Sequence, residues 1–365
     1  MNDALGAAWS AIVGQPDAVA VLQTAATNPL HAYLLTGPAG SGKRAAARAF
    51  AATVVSPVGG GDTRSARLAG SGEHPDVVEV ERVGASILKP QALEIVRVAA
   101  LSPVEGRRKV LILAEFHLLS AEGAAVLLKT IEEPAASTVI VILADQMPPE
   151  LITIASRCVR VEFRPLTDEV VRAALIDEGV DEDSAERAAA AASGNLERAR
   201  LLAADPGLEA RRTAFASLSH RLNGTGNTAV GLTRSLLELI EAAADPLKAR
   251  QSADVARLEA QVAQTGERGS GRKTLEERHK RELRRHRADE LRAGLTEIGR
   301  TYRDALVAGT AVGVADNRVT PASQVAQTGK IVDAVSTIHG AIEAIDRNPN
   351  ESLLLQALLL RLPRL

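Results

Sequence analysis

The stretch Tyr33-Leu34-Leu35-Thr36-Gly37-Pro38-Ala39-Gly40-Ser41-Gly42-Lys43-Arg44 decides how this chain folds. A short β-rich run leads into a glycine-bearing turn with the spacing Gly-x4-Gly-Lys, and helical periodicity follows from Arg44 to Val55. In such a turn the glycines let backbone amides converge on phosphate oxygens. The helix N-terminus adds partial positive charge, and the lysine reaches the outer phosphates. Gly37, Pro38, Ala39, Gly40, Ser41, Gly42, Lys43 and Arg44 are therefore the candidate nucleotide-binding residues. The competing reading is a tight strand-to-helix turn with Lys43 on the surface.

Outward from this turn, four more β-rich runs alternate with helix-length segments: Val77 to Val80, Val110 to Leu113, Val139 to Leu143 and Val159 to Phe163. That alternation predicts a parallel sheet with helices on both faces. The Gly, Ser and Arg-rich stretch between Ser56 and Glu73 reads as a loop at the sheet's edge. After Arg164 the pattern becomes Ala-rich helices, with breaks at Ser193-Gly194-Asn195 and Asp205-Pro206-Gly207, and from Leu208 only helical periodicity remains. The fold class is α/β plus all-α, with expected boundaries 1–165 for the phosphate-loop domain, 166–207 for a small helical domain and 208–365 for a helical domain. The last carries a mixed-charge run around 266–290, read as a solvated helix face laced with ion pairs, with a DNA-phosphate contact as the alternative. The apolar tail Leu353 to Leu360 calls for burial against other helices or another chain.

Composition agrees. Of 365 residues 46% are apolar but only 2% aromatic, which favours helices and buried parallel strands over β-sandwiches. One Cys rules out a disulfide framework or a Cys-rich zinc site, and the seven His show no ligand-like spacing, so no metal-ligating residues are assigned. No window of about 18 apolar residues spans a bilayer, and the cytosol is the expected compartment. The net charge of -2 gives no global attraction to nucleic acid.

Arg44 stands where the loop's Ser or Thr would give Mg²⁺ a hard oxygen ligand. A unit positive charge about 5 Å from the metal opposes it by roughly 3 kcal/mol per unit charge at an effective dielectric of about 20. At the third strand Ala114 takes the place of the acid that supports the metal. Glu115, the residue that would polarise an attacking water, follows it. An ordinary exposed acid at a strand end is the alternative for Glu115.

Leu127-Leu128-Lys129-Thr130-Ile131-Glu132-Glu133-Pro134, followed by Ala155-Ser156-Arg157-Cys158, resembles the bacterial clamp-loader branch of the AAA+ ATPases. Ile12-Val13-Gly14-Gln15, His74-Pro75-Asp76 and Gly194-Asn195-Leu196 extend the likeness over residues 10 to about 204. The resemblance implies an AAA+ P-loop domain, a helical lid and a helical collar that joins subunits. It also implies that Arg157 acts as an arginine finger in a neighbour's ATP site, with a structural ion pair at the end of the sheet as the alternative reading; Cys158 reads as a small buried hydrophobe and not a nucleophile. Three departures from the family stand out. The loop that often carries a four-Cys zinc site has no Cys, so no zinc is expected. Arg44 and Ala114 replace the metal-supporting groups, so ATP or ADP binding should be weak and Mg²⁺ poorly held. Glu197 takes the place of the nucleotide-sensing Arg, with Arg198 one position late, and the sensor position near Asp145 and Gln146 is polar without the usual Thr.

Within that family, a finger kept beside an eroded site resembles the stator subunit of the DNA polymerase III clamp loader, and the resemblance implies a part accessory to a nucleotidyltransferase complex with little ATPase activity of its own. The implied partners are gamma/tau and delta subunits in a hetero-pentamer, with the sliding clamp and primed DNA reached through the assembly and no membrane involved. A hydrolysing gamma/tau-type subunit and a DNA-binding module using Arg278 to Arg287 are the competing readings.

Overall fold

A computed structural model describes residues 3–56, 63–82, 86–265, 270–313, 321–345 and 349–365. The chain divides into two compact units, Met1–Ala203 and Ala204–Leu365. In the first, α1 (Asp3–Ser10) and α2 (Pro16–Thr27) precede β1 (Ala32–Thr36), α3 (Lys43–Val55) and α4 (Thr63–Ser71). Then come β2 (Val77–Val80), α5 (Lys89–Ala99), β3 (Lys109–Leu113), α6 (Ala121–Glu132), β4 (Thr138–Ala144), α7 (Pro149–Ala155) and β5 (Val159–Glu162). Three further helices, α8 (Asp168–Asp177), α9 (Glu182–Ala192) and α10 (Leu196–Ala203), close the unit.

The five strands form one parallel sheet in the order β2-β3-β4-β1-β5. Because side chains alternate across a strand, each apolar run feeds two cores. Tyr33, Leu35, Ile112 and Val141 pack with α1 to α4, whereas Leu34, Leu111, Leu113 and Ile142 pack with α5 to α7. Each fully buried Leu or Ile contributes about 2 kcal/mol by transfer from water. β1 is central, with Leu34 opposite Ile142 on one side and Arg160 on the other, so the loop that follows it emerges at the sheet's carboxyl edge. Open parallel sheets bind their ligands at that edge.

One sequence expectation is corrected. The segment between Ser56 and Glu73 is not a loop throughout, since Thr63–Ser71 is α4 (57–62 lie outside the described residues). Its Ala66 and Ala69, three apart, are buried against the first core while Arg64 and Arg67 face outward. Gly and Ser content hid this stripe, and Gly72 at φ 78° ends it.

The second unit contains only helices among its described residues: α11 (Leu208–Ala216), α12 (Leu218–Arg221), α13 (Gly226–Ala242), α14 (Asp245–Thr265), α15 (Ser270–Gly313), α16 (Pro321–Ile345) and α17 (Glu351–Arg361). Ala229, Leu232, Leu236 and Ile240 make the inward stripe of α13, and they pack with Leu295, Ile298, Tyr302, Ile338 and Leu355. The Asn350 side chain caps α17 by accepting from the Leu353 amide at 3.0 Å. Within the apolar tail, Leu355, Leu358 and Leu359 are buried but Leu353 and Leu360 are 64% and 50% exposed, so burial within the chain covers one face and not the whole run.

Of the charged run, residues 266–269 lie outside those described; from Ser270 onward it is helix α15. Ion pairs join Arg272 to Glu276 at 3.0 Å and Arg287 to both Glu241 and Glu351 at 2.5 Å. Deeper in this unit, the almost fully buried Arg211 lies 2.6 Å from Asp205 and 2.7 Å from Glu290. Among the described residues no helix is long and apolar enough to cross a membrane.

Asp76, fully buried ahead of β2, ties this sheet edge to the following turn. Its carboxylate accepts from the amides of Val104, Glu105 (2.9 Å) and Gly106 (2.7 Å). Burial pushes this carboxyl up, but the three amide bonds and His74 outweigh burial and hold it below its ordinary range. A depressed carboxyl stabilises above its unfolded pKa, and the contribution disappears as pH falls through the folded value. Asp76→Ala should therefore lower unfolding free energy by about 3 kcal/mol at neutral pH. In urea melts the gap to wild type should shrink once the pH drops below the usual carboxylate range.

Candidate nucleotide site and arginine finger

The turn between β1 and α3 takes a conformation that only its glycines permit. Gly37, Gly40 and Gly42 have φ of 147°, 73° and 92°, the left-handed half of backbone space. Space is as restrictive as angle. A Cβ on Gly37 would lie 2.1 Å from the Phe163 carbonyl oxygen, and one on Gly40 would lie 2.1 Å from Asn195 Oδ1. The turn is thus pressed between the end of β5 and the start of α10. Gln15, 4% exposed, locks this arrangement. Its Nε2 donates to Ser41 O (3.2 Å) and Arg164 O (2.7 Å), and its Oε1 accepts from the Arg164 amide (3.1 Å).

Lys43 opens α3, and its side chain is 6% exposed. Nζ donates to Gly37 O at 2.5 Å and Pro38 O at 2.6 Å, and pairs with Asp145 Oδ1 at 2.9 Å. Burial pushes the Lys43 pKa down, and the Asp145 carboxylate opposes that shift. Arg44 turns away from the loop towards the end of β2, with Nη1 2.8 Å from Glu81 Oε1 and 3.9 Å from Glu79 Oε2. Glu79 is held by Arg48, and Glu197 acts electrostatically on both Lys43 and Arg44. Glu115, at φ 52°, is 3.5 Å from Arg82 Nε. Beside it, burial lowers the His117 pKa, and the neutral ring's Nδ1 accepts from the Asp145 amide at 3.2 Å.

The cradle's amides and Lys43 suit phosphate oxygens. The surroundings do not suit a metal: Arg44 and Ala114 offer no oxygen ligand where one is needed. Asp145 also sets a negative charge where outer phosphates would approach Lys43. No group of three or more His, Cys, Asp or Glu is placed to hold a metal ion among the described residues. Arg198, the late candidate for nucleotide sensing, donates from Nη1 to Ala191 O at 2.7 Å.

Arg157 belongs to the other end of the sheet. It precedes β5, whose first residue Val159 pairs with Tyr33, whereas the phosphate loop follows Thr36, the partner of Glu162. The strands therefore separate Arg157 from its own loop by at least about 13 Å at 3.3 Å per residue. Its Nη1 donates to Thr153 O at 3.0 Å, and its Nε lies 3.1 Å from Glu132 Oε2. Cys158 is half-buried, and burial pushes its thiol up to about 12, which keeps it protonated and unreactive near neutrality.

Sequence reasoning located the loop, Arg157 and Glu115 but missed the roles of Gln15, Asn195 and Asp145. Asp145 showed only as a polar position after β4, and no sequence spacing signals its pairing with Lys43.

This arrangement is a phosphate-loop fold, a glycine-bearing turn between a strand and a helix at the carboxyl edge of an open parallel sheet. The family model described as DNA polymerase III, delta subunit, matches residues 14–167. The delta' subunit of DNA polymerase III from Pseudomonas aeruginosa is 37% identical over 137 residues, 36% of this chain and 42% of that protein. The delta' subunit from Bacillus subtilis is 33% identical over 154 residues, 41% and 47% of the two chains. The tau subunit of Bacillus subtilis is 31% identical over 198 residues, 51% and 35%. Each match spans less than half of the relative. Over the matched stretch this chain is similar to clamp-loader subunits of DNA polymerase III.

Because Gln15 holds both sides of the phosphate loop, Gln15→Ala should cost about 2 kcal/mol in thermal unfolding, the charge for leaving buried backbone groups unpaired. Amide exchange should accelerate at Ser41 to Lys43 and at Arg164, with the C-terminal unit unaffected.

Proposed function

We propose that this chain is a delta'-type stator of the DNA polymerase III clamp loader, a ring subunit that lends Arg157 to a neighbouring ATPase. The observation that carries the reading is the placement of Arg157 at the amino edge of a sheet whose carboxyl edge bears the phosphate loop. A guanidinium so placed is out of reach of its own loop but free to serve another chain's. There it would stabilise charge on the transferring phosphoryl group. The likeness to two delta' subunits supports the same assignment. Gamma/tau and delta subunits are the proposed ring partners in a hetero-pentamer, with the sliding clamp and primed DNA engaged by the assembly and the C-terminal helical unit as its collar.

The test is a reconstituted loader in which the ATPase sites not facing this chain are disabled. Arg157→Ala should slow ATP turnover at the remaining site by about 10³-fold. An unchanged rate would refute the assignment.

In this reading the chain's own loop is a relic with weak affinity for ATP or ADP, because Asp145 and the loop carbonyls already satisfy Lys43. Asp145→Asn removes the competing anion, and calorimetry should then show ATP affinity rising by about tenfold, part of the several kcal/mol that Coulomb's law allows at this range. The tau relative, whose match covers more of this chain, favours a second reading as a hydrolysing gamma/tau-type subunit. In that case the isolated chain would turn over ATP and Lys43→Ala would abolish it.

A further inference from the structure

We infer that Glu132 is a positioning residue that parks the Arg157 guanidinium against its own chain and so sets how readily it is delivered to a neighbour. The inference rests on Arg157 acting in trans. Glu132 is the last residue of α6, where a carboxylate faces the negative end of the helix dipole and weakens the helix. Its position is explained by what it touches: its Oε2 lies 3.1 Å from Arg157 Nε. The same guanidinium is drawn back by Nη1 donating to Thr153 O at 3.0 Å and Ser156 Oγ at 3.1 Å. Carbonyl, hydroxyl and carboxylate therefore all hold Arg157 on the ends of α6 and α7.

The latch is built to open. The buried Nε–H faces Glu132 without an aligned hydrogen bond. The two side chains are 34% and 54% exposed, so the pair is weak in water. The several negative charges of a neighbour's nucleoside triphosphate would compete successfully for the same guanidinium. Beside the pair lies an open cavity of about 420 Å³ lined in part by Leu30, His31 and Cys158, which leaves room for the side chain to swing. Leu30, 56% exposed, lines this cavity. Glu132 is thereby given a task within the Leu127 to Pro134 motif, which the phosphate site leaves unused.

Parking opposes delivery, so releasing it should speed the neighbour's site. In the reconstituted loader, Glu132→Gln should raise turnover at subsaturating ATP by about two- to fivefold, the range set by a weak exposed pair. In an Arg157→Ala background the same substitution should have no effect. Glu132→Ala serves as a second variant should Glu132→Gln fail to assemble. If Glu132→Gln leaves turnover unchanged or lowers it while Arg157→Ala abolishes it, parking is wrong and the in-trans role of Arg157 stands. A gain that persists without Arg157 likewise overturns parking. If Arg157→Ala changes nothing, the underlying reading itself fails.

Discussion

A lysine whose side chain is only 6% exposed must have its ammonium paired, because an uncompensated buried charge costs several kcal/mol. Lys43 meets that demand within the chain, through the Gly37 and Pro38 carbonyls and the Asp145 carboxylate. The geometry around the phosphate loop follows from this. The glycines take positive φ so that the loop can curl its carbonyls onto the ammonium, and Gln15 fixes the curl to the end of β5. Beside it, Arg44 pairs with Glu81 and Arg48 with Glu79. A motif shaped to attract phosphate has become a set of internal ion pairs, without the oxygen ligands that would seat a metal.

The sheet converts this local chemistry into a division of labour. Strands of four to seven residues hold the phosphate loop at one edge and Arg157 at the other, too far apart to meet in one molecule. Arg157 therefore cannot reach a phosphate held at its own loop. The rigidity required comes from two cores on the two faces of one sheet, each fed by alternate residues of the same strands. The helical unit follows a different rule. One apolar face per helix suffices there, and its buried Arg211 is flanked by two carboxylates that fix which polar groups may share the interior.

Much of this was legible in the chain itself. The five strands were marked by apolar runs, and the structure changed their ends by no more than a residue. α4 was hidden because glycine and serine obscure a two-alanine stripe. The tail of leucines called for burial against other helices or another chain; within this chain Leu355, Leu358 and Leu359 are buried, while Leu353 and Leu360, seven residues apart on one helix face, are exposed. Arg157 could be found from its Ser-Arg-Cys setting, but Glu132, Asp145 and Gln15 could not be given partners, because each meets a group far away in sequence.

The sequence by itself determined the class of fold and singled out the candidate site residues. The reason is that periodicity and glycine spacing are local constraints on the backbone, which hold whatever the chain packs against. Only the tertiary structure decided what those groups pair with. Pairing charges depends on which strand ends and helix ends the fold brings together, so the engagement of Lys43 by Asp145, the turn of Arg44 to Glu81 and the holding of Arg157 by Glu132 became visible only in three dimensions.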